Sequence, residues 1–260
     1  MMRTEAGDVS KWQGKINFEI LASKIKAVYI RGGFGGYSSP ANCKDPRYDE
    51  YTAGAKAVDL PFGAYWFGNY NTFPERQAQW FAECMNGNWG QLPPMLDFEW
   101  FWKPYPTPLK CLSWIKTFLT TLDKLSGKKA IIYCNPGMLR YLKPYPDWLL
   151  QRSLSIAHYT TAAEPTLYGF PSWLFWQWTD RADGIAHGVQ SKQIDLQWIN
   201  MTYEDFLVWI GKAPGGNKPG AGTAEAMYAR IEQRYAEVLA EVLRVKAELK
   251  AEVAAMSEGD

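Results

Sequence analysis

Short runs of apolar, aromatic and β-branched residues recur along the first 200 positions, with amphipathic or turn-rich stretches between them. Eight runs read as strands. They are a weak one around residues 6–9, then 27–32 (AVYIRG), 62–67 (FGAYWF), 94–99 (PMLDFE), 130–135 (AIIYCN), 154–159 (LSIAHY), 174–179 (LFWQWT) and 193–198 (QIDLQW). Nearly continuous hydrophobicity is what strands buried on both faces need, so the pattern predicts parallel strands under a layer of helices. Helical stretches separate the first five, at residues 16–26, 47–58 and beyond Thr72. There Thr72 and Glu75 have capping-box spacing, with Pro74 in the first turn. Thr107 and Pro108 open the best helix, which runs to Ser126 and stops at Gly127. Residues 136–151 are mixed, because Pro136, Pro144 and Pro146 interrupt them. After the sixth strand the gaps carry no good helix, until Thr202 and Asp205 cap a closing one that ends near Gly211. The glycine cluster at residues 32–36 lacks a phosphate-loop lysine and reads as a tight turn after the second strand. Strand–helix units followed by bare strands predict an irregular TIM-like α/β barrel of about eight strands and five main helices. A doubly wound open sheet is the alternative, and in both the site lies at the carboxyl ends of the strands.

Residues 213–222 (APGGNKPGAG) are a Gly/Pro linker, which bounds a first domain at residues 1–212. Residues 223–260 are Ala/Glu/Leu-rich and predict one long amphipathic helix. Tyr228, Ile231, Tyr235, Val238, Val242, Val245 and Leu249 recur at spacings of three and four, with Leu239 and Val253 beside them. That is a heptad seam, so residues 223–256 are expected to form a coiled coil and make the protein a homo-oligomer. A helix docked on its own barrel is the competing expectation.

Composition narrows the function. Hydrophobic residues make up 47% and charged residues 21%, ordinary globular usage. No apolar run approaches the roughly 18 residues of a membrane span, and the start, MMRTEAGDVSKWQG, has no apolar leader core. A net charge of +1 argues against a nucleic-acid surface. Aromatic residues reach 15%, and aromatic faces stack on sugar rings, so a carbohydrate partner gains weight. Cys43, Cys84, Cys111 and Cys134 show no CxxC spacing and are expected to be free, buried thiols. With only two histidines, and no HExxH, GxSxG or GxxxxGK[ST] pattern, metal, serine-hydrolase and phosphate-loop chemistry find no motif.

Carboxylates carry the remaining signal. In the run Pro93-Pro94-Met95-Leu96-Asp97-Phe98-Glu99-Trp100, Asp97 and Glu99 stand at i and i+2 of a strand, on one face and about 6.6 Å apart along the chain. Asp8 ends the first strand and Asp195 sits in the last, and a closed barrel makes those two strands neighbours. Four acids converging on one mouth, with almost no histidine, point to carboxylate chemistry on a sugar. Glu99, beside Leu- and Phe-rich packing, is expected to stay neutral while Asp97 stays ionised.

GDVSKWQG, FGAYWF, LPPMLDFE, AIIYCN, SIAHY, FWQWTD and QIDLQW occur in that order, and with them residues 5–212 resemble glycoside hydrolase family 25 lysozymes, the N-acetylmuramidases common among phage endolysins. The resemblance implies cleavage of the β-1,4 bond from N-acetylmuramic acid to N-acetylglucosamine in bacterial peptidoglycan, without metal or cofactor. It places the family's general acid on Glu99 and its D-x-E aspartate on Asp97. The two other family aspartates fall on Asp8 and Asp195, and the G-A-Y tyrosine on Tyr65. Gly7 and Trp66 depart from the family pattern, which usually has a β-branched residue and often a histidine there. Trp66, Trp100 and Trp178 are candidates either to stack on sugar or to pack the core, and Gln177 either to bind sugar or to be a satisfied barrel-interior amide. Arg31 is a candidate to bind sugar or to pair with one of the acids. His158 is expected to be structural. With no leader and no paired cysteines, an endolysin-like life is expected: synthesis in the host bacterial cytoplasm, then release to the wall, with no membrane insertion. The competing functions are a catalytically silent wall-binding protein on the same fold, or a chitinase-like D-x-E glycosidase. The latter is disfavoured because Leu92 and Met95 occupy two positions where that motif needs acids.

Overall fold

The computed structural model describes residues 3–36, 39–100, 103–212 and, in the tail, 240, 241, 243–246 and 248. The strands are β1 (Thr4–Val9), β2 (Val28–Phe34), β3 (Phe62–Phe67), β4 (Met95–Asp97), β5 (Ile131–Cys134), β6 (Leu154–Ala157), β7 (Phe175–Asp183) and β8 (Gln193–Ile199). They close in sequence order into one barrel. The helices are α1 (Phe18–Lys24), α2 (Pro40–Cys43), α3 (Tyr48–Ala57), α4 (Pro74–Met85), α5 (Pro108–Ser126), α6 (Pro136–Tyr141), α7 (Asp147–Leu150) and α8 (Tyr203–Trp209).

All eight expected strands are present, and the open-sheet alternative falls away. The expectation of parallel strands needs one correction: β8 runs antiparallel to both β7 and β1. β7 continues to Asp183, past the apolar run that announced it, and leaves only a short connection before Gln193. A parallel return needs a crossover of a dozen or more residues, so this connection can only turn back on itself. The polar end of β7, residues 180–183, alternates between partly and fully exposed positions and lies beyond the apolar run, so no strand signal marks it in the sequence.

Side chains alternate across the barrel wall. Ala6, Tyr29, Met95, Ile131, Phe175 and Ile199 belong to one buried cluster inside it, which Phe206 and Trp209 of α8 plug at the amino-terminal ends of the parallel strands. A larger cluster fills the layer between the strands and α1 to α7. The glycine cluster serves that layer rather than a turn. Gly32 and Gly33 lie within β2, and a Cβ on Gly32 would sit 2.6 Å from the Phe81 ring of α4.

Helix α5 runs as expected, with Thr107 capping Lys110 N and a left-handed Gly127 ending it. The capping box at α4 does not form. Phe73 is the N-cap without a side-chain bond, and the Thr72 hydroxyl accepts instead from Gln77 Nε2. Pro74 is nevertheless the first helical residue. All four cysteines are free and buried, as expected. The 213–222 linker and most of the heptad seam lie outside the described residues. Those described between 240 and 248 are helical, and Val245 of the seam is 41% exposed.

Candidate active site

The parallel strands end on one face of the barrel, and the acids gather there. Asp8 of β1 stands directly opposite Asp195 of β8 in the antiparallel register. Because β8 is reversed, Asp195 reaches the mouth from near the start of its strand. Asp97 is the last residue of β4, and Glu99 lies two residues beyond it. The barrel closure predicted from sequence therefore brings the first and last strands' acids together with the D-x-E pair.

Gln177 of β7 ties the acids to two tyrosines. Its Nε2 donates to Asp8 Oδ2 at 2.8 Å and to Asp195 Oδ2 at 3.4 Å. Its Oε1 accepts from the Tyr133 hydroxyl at 2.9 Å and from the Tyr159 hydroxyl at 2.8 Å. Gln197 Nε2 adds a 3.3 Å bond to Asp8 Oδ2. Asp97 is 8% exposed, and its Oδ1 is buried with no hydrogen-bond partner among the described residues. Half-buried Glu99 interacts with the Tyr133 hydroxyl.

Burial dominates the electrostatics. It pushes every one of these carboxyls above the usual range. For Asp97 the neighbouring Glu99 and Asp8 add to the effect, and Arg31 opposes it. For Glu99 the Tyr133 hydroxyl opposes it. Asp195 is raised to about 6 by burial and Asp180, while its bond with Asp8 works the other way. Burial thus acts on both members of the D-x-E pair in the free protein. Asp97 lies deeper, and its carboxyl is raised strongly by burial. Protons here belong to the coupled cluster rather than to single residues.

The other candidates separate clearly. Tyr65 points inward among Asp8, Asp97, Asp195 and Arg31. Trp100, next to Glu99, is partly buried with its ring centroid 4.6 Å from Tyr105 and 4.7 Å from Tyr141. Trp66 is not at the mouth. It is fully buried against α4, with its ring 5.2 Å from Phe81 and Nε1 donating to Gln77, because strand alternation turns it away from Tyr65. Trp178 is partly buried and stacked on Trp198 at 5.7 Å, with its Nε1 buried and without a hydrogen-bond partner among the described residues. Arg31 pairs with none of the four acids. Its Nε and Nη2 both lie 2.7 Å from Asp45 Oδ2. His158 is structural, its Nδ1 accepting from Thr166 N.

Sequence reasoning missed Asp45, Tyr133, Tyr159 and Asp180. Asp45 lies in a Pro- and Asn-rich loop without periodicity, and Arg31's need for a partner was its only signal. The tyrosines stood in quoted strand motifs at inward-facing or strand-end positions, and nothing in spacing marks a phenol as part of a network.

Carboxylates of raised pKa around the mouth of a closed barrel are the equipment of a glycoside hydrolase, with acids to protonate a leaving oxygen and to stabilise a cationic sugar. A family model described as Glycosyl hydrolases family 25 matches residues 7–187, a span that holds Asp8, Asp97 and Glu99 but ends before Asp195. The chain belongs to that family, and it is a glycoside hydrolase. It is 27% identical over 212 residues to Lysozyme M1 of Streptomyces globisporus, covering 72% of this chain and 66% of that one. It is 25% identical over 209 residues to the uncharacterised protein YegX of Escherichia coli K12, covering 78% and 72% respectively. Among solved structures, the bacterial lysozyme of Streptomyces coelicolor superposes with a TM-score of 0.69 at 23% identity, over 82% of this chain and 98% of that one.

Proposed function

We propose that the protein hydrolyses the β-1,4 bond between N-acetylmuramic acid and N-acetylglucosamine in bacterial peptidoglycan. The observation that carries this is the convergence of Asp8, Asp97, Glu99 and Asp195 on one mouth, with a buried, unpartnered oxygen on Asp97. Family membership and the lysozymes among the relatives support the substrate class.

Glu99, at the rim of the strand end, protonates the glycosidic oxygen as the bond breaks. Asp97 accepts a hydrogen bond from the substrate's acetamido N–H through Oδ1. That donor favours the ionised form of Asp97, so binding itself leaves the proton on Glu99. The anionic cluster stabilises the positive charge on the sugar ring. Water then adds to the ring carbon and returns a proton to Glu99. Tyr65 and Trp100 border the sugar. Mass spectrometry of digested peptidoglycan tests the reading. New reducing ends are expected on N-acetylmuramic acid, and reducing ends on N-acetylglucosamine would overturn it.

The same reading takes in the tail and the cellular setting. Residues 223–256 join copies of the chain, and several barrels on one stalk gain avidity for a polymeric wall. Sedimentation of the full chain is expected to show an oligomer, and of a chain ending at Lys212 a monomer. A monomeric full chain at micromolar concentration would leave only the docked helix. Four buried thiols fit synthesis in a reducing cytoplasm followed by release to the wall.

A further inference from the structure

Of the two roles expected for Gln177, sugar ligand or satisfied barrel-interior amide, the second fits the structure: its amide has nothing left to offer a sugar. A primary amide has two donor hydrogens and two acceptor lone pairs. Here the two donors face Asp8 and Asp195, and the two lone pairs face Tyr133 and Tyr159. The residue is 3% exposed. Its orientation is set from both ends. A flipped amide would turn Oε1 toward two carboxylates and Nε2 toward two hydroxyls that now donate.

The pair it touches is unusual. Asp8 and Asp195 are directly opposed across two strands, where like charges repel. Each has its Oδ2 within reach of the one Nε2. We propose that Gln177 is a positioning residue, which holds the Asp8–Asp195 pair together at the mouth, and that Tyr133 and Tyr159 fix the amide for that task. The inference rests on the hydrolase reading, in which a charged pair stabilises the cationic sugar.

Other groups face the pair from around the barrel, and none replaces this contact. Glu99 and Asp97 of the D-x-E run and Asp180 of β7 are acids, and they oppose a second charge on the pair. Tyr65 of β3, Tyr133 and Tyr159 are phenols raised by burial. The Arg31 guanidinium is committed to Asp45. Gln197 offers one longer bond to Asp8, and none to Asp195. Gln177 alone among the described residues donates to both. Tyr159, 51% exposed, is the member of the network that reaches solvent.

Donation to a carboxylate favours its charged form, so loss of the donor raises the apparent pKa of the pair. If activity needs the pair ionised, the acidic limb of the pH–rate profile then moves to higher pH. The test uses the full chain on purified peptidoglycan. Gln177→Leu keeps the volume and removes both donors. It is expected to lower kcat by roughly 10-fold or more, hold KM within about 3-fold, and move the acidic limb up by about one unit. Gln177→Glu, which adds a negative charge, should move it further. Tyr159→Phe, at a half-exposed position that folding tolerates, releases one anchor of the amide and should give a smaller shift of the same sign. A raised KM with unchanged kcat and limb in Gln177→Leu would make Gln177 a substrate ligand and overturn the proposal. So would a lowered melting temperature with the wild-type limb in both Gln177→Leu and Tyr159→Phe, the mark of packing alone. If the wild-type chain were inert on every wall, the hydrolase reading would fall, yet carboxyl NMR titration would still decide the Gln177 contact. The Asp8–Asp195 midpoint should rise in Gln177→Leu, and an unchanged midpoint would refute it.

Discussion

Glu99→Gln is expected to lower kcat on peptidoglycan by roughly two to four orders of magnitude, the range that general acid catalysis contributes. The amide keeps the shape of the side chain but has no proton to give to the leaving oxygen. Glu99 is half-buried and lies beyond the end of β4, so the fold has little stake in its charge. Burial raises its carboxyl, and the substitution removes that desolvation cost, so the variant should melt no lower than the wild type. A folded Gln variant that cleared cell walls at near wild-type rate would sink the assignment and move the acid to Asp97. Because Asp97 is also raised, Asp97→Asn belongs in the same experiment. It removes the anion but keeps a side-chain oxygen. Its loss should appear in kcat as well, since the proposed contact to the acetamido group would steady the charged transition state.

Asp45→Ala is expected to cost about 3–5 kcal/mol of stability, the usual result of removing one partner of a buried ion pair. The Asp45 carboxylate is 1% exposed and Arg31 is 15% exposed. Both oxygens are engaged: Oδ2 with Arg31 and Lys11 N at 3.1 Å, and Oδ1 with Arg47 N at 3.0 Å. Truncation leaves the Arg31 guanidinium without its partner at the wall of the barrel and frees two backbone N–H groups of the neighbouring loops. Urea unfolding with an unchanged m-value would measure the loss, and a cost under about 1 kcal/mol would show that water or another acid takes over. The double variant Arg31→Met/Asp45→Leu should recover part of it, since an apolar pair leaves no buried charge behind.

What the sequence made legible follows from which forces act locally. The strand runs were readable because a barrel strand covered on both faces must be apolar at consecutive positions, and 62–67 and 130–135 are of that kind. Helix α5 was readable because its cap, its proline and its closing glycine are all near neighbours in the chain. The convergence of Asp8 with Asp97 and Glu99 followed from closure alone. Orientation was less accessible. The reversal of β8 depends on where β7 ends, and the polar half of β7 looks like loop. Trp66 and Trp178 show a similar limit. A tryptophan beside a strand end has the same composition whether it faces the mouth or the helix layer, and only register decides. The Gln177 network was hidden for a third reason. It joins β1, β5, β7 and β8, and hydrogen bonds between elements that distant leave no periodic trace.

The reversed last strand has one more consequence. β8 begins at the mouth, so it ends on the opposite face of the barrel, and α8 then seals that face. Lys212, just beyond α8, forms an ion pair with Asp59, in the turn that leads into the start of β3. The chain thus leaves the barrel from its rear. Lys212 itself therefore lies on the side away from the acids. Immobilisation through Lys212 of a chain that ends there should leave the mouth turned outward, toward an insoluble substrate.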